Sequence, residues 1–134
     1  MSSAAHVLVV EDESDNRISL SLLLVDMGYS VDSAASGHEA LRFMYSEEAC
    51  DAVIADVVMP GMSGIEFAER ARVARPGLPV LLLTGKSDGL ESALASGALA
   101  LVKPVTSERL RQVLDDALDK SVVARGVEHS RTAD

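Results

Sequence analysis

This sequence predicts an α/β domain whose parallel sheet is covered on both faces, and three observations carry that prediction. Short apolar runs recur along the chain. Stretches with helical patterning fill the gaps between them. Glycines, prolines and hydroxyl residues stand where helices should stop and start.

The elements follow in order. His6-Val-Leu-Val-Val10 is a continuous, β-branched run, as expected of a strand buried on both faces. Residues 14–27 read as a helix, and Gly28 suits its C-terminal cap. Ser30–Ala34 is a weaker strand, followed by a helix over 37–48. Asp51–Ala55 is a strong strand, with a helix over 63–74. Pro76-Gly-Leu-Pro79 forces a turn before the strand Leu78–Leu83. A fourth helix over 87–96 stops at Gly97, and Leu99–Val102 is the fifth strand. Thr106 is placed to cap a last helix over 106–119, whose stripe is Leu110, Val113, Leu114, Ala117 and Leu118. Five strands alternating with five helices imply right-handed crossovers and a three-layer, doubly wound domain. The domain is expected over 1–120, and 121–134 reads as a mobile tail or linker.

Composition narrows the function. The chain has 134 residues, 48% apolar and 25% charged, the balance of a single globular domain. It carries 21 acidic and 12 basic residues, net −9. Nucleic acid and anionic membranes both need a basic partner surface, so neither is expected to be bound directly. Cys50 is the single cysteine, which excludes an internal disulfide and a Cys-rich zinc site. The longest stretch free of Asp, Glu, Lys and Arg is Ser92–Val102, too short for the ~20 residues of a membrane span. No basic segment followed by an apolar one opens the chain, and a cytoplasmic location is expected.

The acids are concentrated. Glu11, Asp12, Glu13 and Asp15 follow the first strand, and Asp56 follows the third. Thr84 ends the fourth strand and Lys103 the fifth. The carboxyl ends of parallel strands share one edge, where ligands bind. In a 2-1-3-4-5 order the first and third strands are neighbours, so their acids converge. Converging carboxylates repel unless a cation intervenes. Magnesium suits two or three carboxylates plus waters. Glu13 and Asp15 fit an ordinary acidic helix start; Glu11, Asp12 and Asp56 fit a cation site.

Four blocks carry a resemblance. Val7-Leu-Val-Val-Glu-Asp-Glu13, Asp56-Val-Val-Met-Pro-Gly-Met-Ser-Gly64, Leu82-Leu-Thr-Gly85 and Val102-Lys-Pro104 stand in order and at the spacing of the bacterial response-regulator receiver domain. The chain resembles that family over about residues 5–119. The resemblance implies a flavodoxin-like fold with strand order 2-1-3-4-5. It implies a phosphoryl group passed from a histidine of a sensor kinase or phosphotransfer protein to Asp56. It implies Mg²⁺ held by Asp12, Asp56 and the Val58 backbone carbonyl, with Glu11 acting through water. Lys103 and Thr84 would then meet phosphoryl oxygens, and the Lys103–Pro104 peptide would be cis. On this reading the chain catalyses only its own phosphorylation and dephosphorylation.

The sequence departs from the family at Ala100, where an aromatic that rotates on phosphorylation is expected. The fourth helix is also poor by propensity, with Ser87, Gly89, Ser92 and Ser96. On the first helix, Ile18, Leu22 and Val25 form one stripe and Leu20, Leu23, Leu24 and Met27 another. One stripe must face the sheet; the other is a partner surface. Leu20 and Leu24 are expected to contact the kinase or phosphotransfer protein, with the chain itself a monomer or weak homodimer. Two other classes compete. A phosphohydrolase with an aspartyl-phosphate intermediate wants an acid two residues after the nucleophile, where valine stands at position 58. A pseudo-receiver interaction module would lack the acceptor, metal acids or lysine, and all are present.

Overall fold

The computed structural model describes residues 4–85 and 87–119. The expected tail, 121–134, lies outside the described residues. Five strands form one parallel sheet: β1 (His6–Val10), β2 (Ser30–Ala34), β3 (Ala52–Asp56), β4 (Val80–Thr84) and β5 (Leu99–Val102), in the order β2-β1-β3-β4-β5. The helices are α1 (Ser14–Asp26), α2 (Gly37–Met44), α3 (Gly64–Ala74), α4 (Ser87–Ala95) and α5 over 107–119. This is the doubly wound, flavodoxin-like architecture that the alternating pattern predicts.

Two cores form because strand side chains alternate between the faces. On one face Leu8, Val10, Val53, Ala55 and Leu82 pack with Ala40, Phe67 and Ala93 of α2, α3 and α4. On the other, Val7, Val9, Ile54 and Leu81 pack with Leu24 of α1 and with Leu110 and Leu114 of α5. The β1–β3 register pairs Val7 with Ala52 and Val10 with Ala55, and the His6 amide donates to Asp51 Oδ2 at 2.8 Å below it.

Helix borders have local causes. Ser36, Ser63 and Thr106 hydroxyls accept from the amides of Glu39, Glu66 and Arg109, each at 3.1 Å. These N-caps satisfy donors that a helix start leaves open. Gly28 and Gly97 hold φ of 103° and 88° at the ends of α1 and α4, a region that favours glycine. Helix α2 stops four residues before its predicted end. The Ser46 hydroxyl bonds the Phe43 carbonyl at 2.6 Å. Arg75, just beyond α3, donates to the carbonyls of Met44 (2.9 Å), Phe43 (3.3 Å) and Ser46 (3.0 Å). Carbonyls claimed by side chains do not propagate a helix.

Helix α1 corrects one expectation. Leu24, assigned above to a partner surface, is wholly buried against the sheet. Leu20, Leu23 and Met27 are half-buried against the same cluster. The exposed stripe is Ile18, Leu22 and Val25, 55%, 65% and 55% accessible. The four-residue stripe offers more apolar area to the sheet than the three-residue one, and burial scales with that area.

Candidate functional site

The carboxyl ends of the strands gather the polar residues. Beyond β1, the Glu11 amide donates to the Ala34 carbonyl at 3.1 Å, so the chain stays beside the sheet for one more residue. Its side chain turns inward and is 6% exposed, while Asp12 faces solvent. Arg17, one turn into α1, reaches back to the carbonyls of Glu11 (2.9 Å) and Asp12 (3.4 Å) and holds this turn. Asp56 closes β3 on the neighbouring strand. Oxygens of Glu11, Asp12 and Asp56 lie within 4.8 Å of one another.

Lys103 enters from β5. Its amide donates to the Thr84 carbonyl at 2.7 Å, and its Nζ reaches Asp56 Oδ2 at 3.1 Å. The Lys103–Pro104 peptide is cis. Thr84 closes β4 and is 3% exposed. Val57 continues beyond β3 with its amide on the Leu83 carbonyl at 2.9 Å, while the Val58 side chain projects into solvent. The geometry therefore brings together Glu11, Asp12, Asp56 and Lys103 and sets Thr84 on the next strand.

The electrostatics are those of a site short of positive charge. Burial pushes the Glu11 carboxyl above its ordinary value. Hydrogen bonding with Asp12 and the charge of Asp56 act in the same direction. The Glu13 amide, which donates to Glu11 Oε2 at 3.0 Å, and the Lys103 ammonium oppose it. Among the described residues, one ammonium faces three carboxylates. A hard divalent cation prefers this all-oxygen donor set, with waters completing its shell. The residues thus fit Mg²⁺.

Backbone clearance keeps the site together. A Cβ on Gly64 would overlap the Asp56 carbonyl oxygen and stand 2.9 Å from both the Asp56 carbonyl carbon and the Val57 Cα. The Gly64 amide donates to the Val57 carbonyl at 2.9 Å. Helix α3 therefore starts against the end of β3, and only glycine allows that approach. The pattern that predicts a helix over 63–74 includes Gly64 but does not reveal this contact. The available signal was a glycine directly after an N-cap serine, where a helix former would serve better. Beside Lys103, a groove of about 530 Å³ runs between α1 and the β5–α5 connection. Leu20, Leu23, Leu83, Val105 and Leu110 line it, and Glu11, Asn16 and Lys103 stand on its polar side.

Comparison with known proteins agrees with this arrangement. Residues 7–115 match the family model of the response regulator receiver domain. The transcriptional regulatory protein GlrR of Escherichia coli is 38% identical over 123 residues, covering 90% of this chain and 28% of that protein. The transcriptional regulatory protein AfsQ1 of Streptomyces coelicolor is 35% identical over 127 residues, 92% of this chain and 53% of its own length. This chain thus spans about a quarter to a half of those relatives. A receiver domain protein from Clostridium thermocellum superposes with a TM-score of 0.85 at 31% identity, covering 90% of this chain and 98% of its own. The chemotaxis protein CheY4 of Vibrio cholerae does so with a TM-score of 0.77 at 36% identity, covering 86% and 99%. From its sequence blocks, its strand order and its acidic edge, this chain belongs to the response regulator receiver domain family.

Proposed function

We propose that this receiver accepts a phosphoryl group on Asp56. The observation that carries this reading is the pairing of the Asp56 carboxylate with Lys103 Nζ at 3.1 Å inside an acidic cluster. An oxygen of Asp56 attacks phosphorus, and the P–N bond to a donor histidine breaks. The imidazole leaves with the electron pair and takes a proton. Two anions must meet for this to happen. Asp12, Asp56 and the Val58 carbonyl would hold Mg²⁺, with Glu11 acting through water, and the ion would supply charge neutralisation at the phosphoryl oxygens. The Lys103 ammonium offsets further charge on those oxygens, and the Thr84 hydroxyl donates to one of them.

The donor is a sensor kinase or a histidine phosphotransfer protein. Its docking surface combines the Ile18, Leu22 and Val25 stripe of α1 with the groove that Leu20 lines beside Lys103. Exposed apolar area next to the reacting group supports this choice. The net charge of −9 supports a domain that does not itself grip nucleic acid. Phosphoramidate supplies a P–N bond without a protein partner. With Mg²⁺, the wild type is expected to gain a phosphoryl group, and Lys103→Ala to gain it more slowly. A folded wild type that gains none contradicts the reading.

A further inference from the structure

Gly89 lies in the first turn of α4, yet glycine in a helix costs ~1 kcal/mol relative to alanine. Its backbone does not require glycine, for the positive-φ glycines are Gly28, Gly61, Gly77 and Gly97. Close approach does. A Cβ on residue 89 would stand 2.6 Å from Thr84 Oγ1 and 3.6 Å from Thr84 Cβ. The hydroxyl therefore occupies the space that a side chain would fill. Thr84 is buried at the end of β4, directly after Leu83, whose register partner on β3 is Asp56. On β5, Ala100 stands on the same face as Val102, the register partner of Thr84. Ala93 of α4 and Ala98 are buried in the cluster against which Ala100 packs, so small residues meet where α4 covers this strand pair.

We propose that Gly89 is a positioning residue for Thr84: its missing side chain lets α4 seat on the hydroxyl and fixes where that hydroxyl stands beside the acceptor. A methyl group at 89 rotates the hydroxyl away or lifts the helix. This inference rests on the reading of Asp56 as acceptor and Thr84 as its hydroxyl donor.

The test is a double-mutant cycle on the full chain, with Gly89→Ala, Thr84→Ala and both together. Acetyl phosphate labelling with Mg²⁺ and thermal unfolding are the two readouts. Gly89→Ala is expected to slow labelling roughly twofold or more, the factor given by the lower end of coupling energies between touching residues. In the Thr84→Ala background the same substitution is expected to leave labelling unchanged and to raise the melting temperature, because the clashing atom is gone and alanine favours the helix. Wild-type labelling rates in Gly89→Ala overturn the proposal. So does an equal loss in both backgrounds. If the wild type itself takes no label, the acceptor reading fails, and the coupling in melting temperature still tests the contact.

Discussion

Gly64→Ala places a methyl group where the backbone at the end of β3 already is. The added Cβ would stand 2.9 Å from the Asp56 carbonyl carbon and from the Val57 Cα, whereas ordinary contact begins at 3.4 Å. The start of α3 and the end of β3 must separate by about half an ångström at those carbons, and by more at the Asp56 carbonyl oxygen. Neither partner is a flexible side-chain tip, so relief comes from moving backbone. Overpacking of this kind costs about 1–3 kcal/mol. Stretching the Gly64 amide bond to Val57 adds about 1 kcal/mol. Alanine in place of glycine in a helix returns up to about 1 kcal/mol. The net loss is about 2 kcal/mol, which for a domain of this size lowers the melting temperature by roughly 8 °C. Circular dichroism melts of Gly64→Ala and Gly85→Ala make the assay. Gly85 is the control, because a Cβ there meets nothing within 4 Å. A Gly64→Ala protein that melts with the wild type refutes the close-approach argument.

Three more outcomes follow from the same geometry. The Glu11 carboxyl is raised above 4.5, chiefly by burial, so the fold binds the extra proton between 4.5 and that raised value. Stability without metal should fall as pH rises through this window. Glu11→Gln is then expected to melt higher than wild type at pH 7 in chelator, with the difference shrinking below pH 4.5; a pH series of melts decides it. Arg75→Ala releases three carbonyls at the end of α2 and should cost about 1–2 kcal/mol in urea unfolding. Ile18→Glu and Leu22→Glu should slow transfer from a phosphorylated histidine donor while leaving acetyl phosphate labelling at the wild-type rate; unchanged transfer removes α1 from the docking surface.

Much of the architecture was legible because the sheet is buried on both faces. Runs such as His6–Val10 and Leu78–Leu83 read as strands whatever surrounds them, and the N-cap at Thr106 and the caps at Gly28 and Gly97 are local signals. The acidic edge was legible for a similar reason: strand order alone brings Glu11, Asp12 and Asp56 together. The orientation of α1 was not. Both of its stripes are apolar, and Leu24 turns inward because the wider stripe covers more of the sheet, which no window of sequence measures. The early end of α2 depends on Arg75, some 30 residues away. Gly64 and Gly89 act through what is absent at Cβ, so their contacts appear only in three dimensions. Gly89 and its serine neighbours read from sequence as a weak helix, yet α4 forms over Ser87–Ala95.

The central claim is that Asp56 takes the phosphoryl group with a divalent cation in the acidic cluster. Intact-mass measurement after incubation with acetyl phosphate and Mg²⁺ tests it most directly. One added phosphoryl group is expected on the wild type, none on Asp56→Asn, and none on the wild type in excess chelator. Labelling that persists in Asp56→Asn, or a folded wild type that takes none, contradicts it.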